Sequence, residues 1–146
     1  MKIRQKATLS TLVLAGVLVF ASAAYACTTV KGTTTVTPTS AAHGTSVSMS
    51  VSATGAQAST RFTAYYLNPS SEHDSMGTCM PAIQYPDPTK IAGPTTSSST
   101  GVISKVTNSS FNVGAAGTAW VCFIDSDTNG VPLYNYATNK AAVTVT

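Results

Sequence analysis

Apolar and polar positions follow the clearest pattern over residues 118–146, TAWVCFIDSDTNGVPLYNYATNKAAVTVT. In an extended chain Ala119, Val121 and Phe123 fall on one side, and Trp120, Cys122 and Ile124 on the other. A run that is apolar on both faces predicts a strand covered on both sides, in the middle of a sheet. Asp127-Thr128-Asn129-Gly130 then predicts a tight turn, because Asn and Gly tolerate positive φ. The return strand closes on Ala141, Val143 and Val145, which share a face.

The same period of two recurs upstream. Val47, Met49 and Val51 alternate with Ser46, Ser48, Ser50 and Ser52, as in a strand with one wet face. Residues 61–67 place Phe62, Ala64 and Tyr66 against Tyr65 and Leu67. Residues 27–39 are β-prone and run into Pro38, which predicts a peripheral first strand. Its threonines recur on both faces, so its register is weakly specified, and pairing with a neighbouring molecule's sheet edge is expected. Residues 68–94 hold Pro69, Pro81, Pro86, Pro88 and Pro94 and read as a long excursion, with one short strand near 82–85. Residues 95–100 (TTSSST) read as a flexible polar tip, followed by short strand pieces at 101–106 and 110–113. There is no helical period of useful length and no internal repeat. About seven short strands with regular turns predict an all-β, antiparallel Greek-key β-sandwich.

Composition changes this picture at the N-terminus. Lys2, Arg4 and Lys6, an apolar core at 12–20 and Ala24-Tyr25-Ala26 have the order of a secretory signal, so residues 1–26 are expected to be removed and 27–146 to form one domain. No second apolar run follows, so no transmembrane segment is expected after signal removal. The chain carries 8 Lys+Arg and 5 Asp+Glu, and three of the basic residues lie in the signal, which leaves 5 − 5 = 0. A neutral domain has no basic patch for phosphates, so nucleic acid is not an expected partner. Serine and threonine supply 38 of the 120 residues after position 26, giving a polar, nearly uncharged surface. The expected location is secreted, at the cell surface or in the periplasm.

VTPTSAAHGTSVSMSVSATG and the distant FIDSDTNG and AAVTVT together resemble the bacterial immunoglobulin-like domains of surface proteins. Such domains open with a Val-Thr-Pro strand and close with an Asp/Asn/Gly hairpin and a Val-Thr-Val-Thr strand. The resemblance implies an Ig-like sandwich and a structural or adhesive role. Ala119-Trp120-Val121-Cys122 is also similar to the aromatic-x-Cys of an immunoglobulin F strand. The corresponding second strand carries Val47, Met49 and Val51 instead of cysteine, so the usual inter-sheet disulfide cannot form.

Asp125-x-Asp127-x-Asn129-Gly130 matches the first half of a calcium loop, where alternate oxygens and a glycine surround a hard cation. Tyr136 stands where the loop's bidentate acid belongs, and a plain hairpin reads equally from the same residues. Residues 72–80 group His73, Met76, Cys79 and Met80, soft ligands that would suit copper. His43 and His73 lie in no hydrolase motif and Gly-x-Ser-x-Gly is absent, so a non-enzymatic protein is expected. An exported chain with three cysteines should pair two of them. A Cys79–Cys122 bond would tie the excursion to the central strand and leave Cys27 for lipid or an intermolecular bridge. Cys27–Cys79 is the competing pair. Ala23-Ala24-Tyr25-Ala26-Cys27 also forms a loose lipobox, although ordinary cleavage after Ala26 is the expectation.

The sequence therefore points to a secreted or cell-surface structural or adhesive module, with protein partners or self-association, including a place in an extracellular assembly. The alternative is an extracellular small-ligand or metal-binding protein, with calcium or copper as the metal.

Overall fold

The computed structural model describes residues 29–69 and 89–146, and these are all-β. Eleven strands occur among them: β1 (Thr29–Thr37), β2 (Ser40–Ala41), β3 (Ser46–Val47), β4 (Ser50–Thr54), β5 (Arg61–Leu67), β6 (Thr89–Thr96), β7 (Ile103–Thr107), β8 (Phe111–Asn112), β9 (Gly117–Ser126), β10 (Pro132–Asn139) and β11 (Ala141–Val145). The signal segment, Cys27 and Cys79, the short strand expected near 82–85 and the grouping at 72–80 lie outside the described residues.

β9 is the strand around which the others are arranged. One edge pairs with β5 from Phe62↔Asp125 to Leu67↔Trp120. The other edge pairs with β11 along Ala119–Val121 and with β10 at Ile124 and Ser126. Both faces of β9 are buried, as its two-sided apolar pattern predicts. Ala119, Val121 and Phe123 join the main core with Phe62, Ala64, Tyr66, Met49, Val51, Ile103 and Val143. Cys122 and Ile124 join a second cluster with Tyr65, Leu67 and Ala137, against which Trp120 and Tyr134 pack. The main core lies between two layers, β1–β4–β7 on one side and β6–β5–β9–β11 on the other.

Four expectations are corrected. The sheet is mixed, because β1 runs parallel to β10 and β2 parallel to β11. β1 is not peripheral. It pairs with β10 at Thr29, Val30 and Thr33 and with β4 at Thr33–Thr37, so it joins the two layers within one molecule. Its buried Thr34 hydroxyl meets Thr138 Oγ1 at 2.5 Å, which pins a register that the repeated threonines leave open. The crossing is made at Gly32, whose φ is +93° and where a Cβ would lie 2.5 Å from the Ala56 nitrogen. Only glycine fits that approach.

Pro94 lies inside β6, not in an excursion. β6 pairs only with β5, and its register slips twice beside Ala64, so an edge strand with a missing N–H is tolerated there. Residues 97–102 form a hydrogen-bonded turn and not a loose tip. Ser98 Oγ accepts from Val102 N (3.0 Å) and Thr100 N (3.2 Å). Buried Ser97 donates to the Gln57 carbonyl (2.6 Å). Finally, the strand expected over 45–54 is two strands. Asn108 captures Met49 N through its Oδ1 (2.7 Å), while Val47 pairs with Phe111 in a separate two-stranded ladder.

Candidate contact surface at the loop end

The strand registers place three connections at one end of the molecule. Arg61 faces Thr96 of β6, Phe62 faces Asp125 of β9, Pro132 faces Ser126, and Ala53 faces Ile103. The β4–β5 connection (55–60), the β6–β7 turn (97–102) and the β9–β10 hairpin (127–131) therefore leave from the same end. The first two are laced together by Ala56 N to Gly101 O (2.9 Å), Ser59 N to Ser98 O (3.1 Å) and Ser97 N to Thr60 O (2.9 Å). Val102, Val131 and Leu133 are the exposed large apolar residues among the described residues, at 40 %, 57 % and 51 %. All three belong to this end. Scattered exposed apolar side chains are ordinary, but their collection at one end marks a contact surface.

The hairpin is built by two carboxylates. Asp127 Oδ1 accepts from Asn129 N (2.8 Å) and Val131 N (2.9 Å), and the turn closes with Asp127 N to Val131 O (3.0 Å). Gly130 supplies the positive φ, at +81°. Beyond the turn, β10 carries a wide bulge: residues 133–136 lie opposite the single residue Asp125. Asp125 is 2 % exposed and fills the gap. Its Oδ1 accepts from Asn135 N (2.9 Å) and Tyr136 N (3.1 Å), and its Oδ2 from Asn135 Nδ2 (3.0 Å). A carboxylate thus does what a missing strand partner would do, satisfying amides that the bulge leaves unpaired. The bulge turns Leu133 outward and holds Tyr134 at φ +60°, an uncommon conformation for an aromatic residue.

Beneath the hairpin, Tyr65 directs its hydroxyl at the Gly130 carbonyl (3.4 Å) and Thr63 donates to Ser126 Oγ (2.9 Å). Burial, with a smaller contribution from nearby Tyr134, pushes the Tyr65 phenol up to about 12. Burial also raises Tyr134 and, in the core, Tyr66.

The residues singled out from sequence are therefore distributed as follows. Asp125, Asp127 and Asn129 do share one hairpin, with the carboxylates directed at backbone amides. Among the described residues no group of three or more His, Cys, Asp or Glu is placed to hold a metal ion. Cys122 is fully buried in mid-strand and does not stand as a free thiol. The sequence reading missed Val102, Val131 and Leu133, because their exposure is set by turn and bulge geometry. The bulge itself had a signal: an acid that closes an otherwise apolar run needs partners for its oxygens. No family model matches the chain, and comparison with curated proteins finds no match.

Proposed function

We propose that the protein is a secreted or cell-surface, non-enzymatic β-sandwich module of Ig-like type that works by making protein contacts through its loop end. The observation that carries this reading is the gathering of Val102, Val131 and Leu133 on that one end, on a hairpin braced by Asp125 and Asp127. A braced surface loses little conformational entropy on binding, which favours recognition. The sandwich supplies a rigid base and the connections supply the contact, a division of labour common to β-proteins.

The test is photo-crosslinking in the cells that make the protein. A diazirine amino acid is placed at position 102 or 133, with position 112 at the far end as control. Adducts from 102 and 133 but not from 112 are expected. Adducts from none of them, or equally from all three, would reject a contact role for this end.

A further inference from the structure

We propose that the loop end of one copy docks residues 70–88 of a second copy, so that molecules join end to end. This rests on the loop end being a protein-contact surface and names its partner. Charge is the first ground. Lys31 reaches the 55–60 connection, donating to Gln57 Oε1 (3.2 Å). Arg61 opens β5 beside it, opposite Thr96. The Lys90 ammonium reaches the hairpin, where a Cβ on Gly130 would lie 2.6 Å from Nζ. Against these three stand Asp125 and Asp127, whose oxygens accept from Asn135, Tyr136, Asn129 and Val131. The end thus keeps a net +1 beside three exposed apolar side chains.

Residues 70–88 are the complement. They hold Glu72, Asp74 and Asp87 with no lysine or arginine, a charge of −3, and they include Met76, Met80, Ile83 and Tyr85. The second ground is where this segment begins and ends. Leu67 pairs with Trp120, and Tyr66 with Thr89, at the end of the sheet remote from the 97–102 turn. The segment is therefore rooted at the end opposite the 55–60 and 97–102 connections. Two different complementary surfaces at opposite ends make a heterologous contact, which propagates into an open chain and not a closed dimer. Opposite charges steer such a contact and set its register.

The experiment is sedimentation of the purified mature protein, with two charge-reversed variants, K31E/K90E and E72K/D87K. The wild type is expected to form larger species as concentration rises and to lose them in high salt, where charge attraction is screened. Each variant alone should remain monomeric. Their 1:1 mixture should associate again, because each now carries the other's complement. A wild type that stays monomeric at every concentration overturns the proposal. So does a mixture that remains monomeric although both variants keep the wild-type circular dichroism spectrum. Should a variant not fold, crosslinking from position 133 in a mixture of isotopically light and heavy wild-type copies decides. A light-to-heavy crosslink into residues 70–88 supports the contact, and its absence rejects it. An adduct to a different protein rejects this inference while leaving the contact role standing.

Discussion

Replacing Asp125 with alanine removes the acceptor that closes the β10 bulge. Two backbone amides, Asn135 N and Tyr136 N, then lose a charged partner at 2.9 and 3.1 Å. A hydrogen bond to a charged group contributes about 1.5–3 kcal/mol, so the two together give roughly 3–6 kcal/mol. Asn135 is exposed and Tyr136 half-buried, so water can rescue part of this, and the lower bound of about 3 kcal/mol is the better expectation. That is a large fraction of a domain's total of about 5–15 kcal/mol. With a urea slope of about 1–3 kcal/mol per molar, the midpoint should fall by roughly 1–3 M. Asp125→Asn should cost less, because one oxygen still accepts while the new NH2 faces the Asn135 amide. The assay is urea unfolding followed by circular dichroism, with and without calcium. Because the oxygens that accept from the β10 amides are already used, calcium or EDTA should leave the wild-type midpoint unchanged. A midpoint for Asp125→Ala within about 0.5 kcal/mol of wild type would refute the bracing role, that being the scatter of neutral surface changes. A calcium-dependent rise in the wild-type midpoint would instead favour a cation at Asp125, Asp127 and Asn129.

Gly32→Ala should destabilise by about 2–4 kcal/mol, from positive φ and the collision with the Ala56 nitrogen, read as a lowered urea midpoint. Tyrosine absorbance at 295 nm should show Tyr65 ionising near 12. Its folded value lies above the unfolded one of 10, so the stability it contributes is complete below pH 10 and is lost as pH rises towards 12. Thermal midpoints that stay flat between those values would contradict this. Non-reducing peptide mapping should recover Cys79 joined to Cys122, a loop of 42 intervening residues whose closure contributes about 4 kcal/mol. By strand spacing and rise, Thr29 lies roughly 14 Å from Cys122, so Cys27 would need a chain aimed straight at it to come within about 7 Å. A Cys27–Cys122 peptide would overturn this assignment.

The sequence carried the layers and not the joints. The two-sided apolar run at 119–124 announced a central strand, and the alternation in 61–67 divided its side chains between the two clusters as observed. Those signals are local, because burial of a face repeats every second residue. β1 was misjudged because its threonines suit either face, and only distant partners, Thr138 and the Ala56 backbone, decide its path. β6 was hidden by Pro94, which an edge strand accepts and an inner strand would not. The loop end was illegible for a similar reason. Val102 and Val131 stand 29 positions apart in the chain, and only the registers of β5, β6, β7 and β10 bring their connections to one end.

The parallel pairing of β1 with β10 bears on how the molecule carries tension. β1 starts at the loop end, while β11 finishes at the other end, where Thr144 N, Thr146 N and His43 N bond across to β2 and its flanks. Pulling Thr29 and Thr146 apart therefore draws these parallel ladders lengthwise past each other. Their slanted, evenly spaced hydrogen bonds must yield together and not one at a time. Resistance to a steady pull is set by the unfolding rate, and shear of this kind slows it. A chain held at its N-terminus and loaded at its C-terminus meets that force along its stiffest direction.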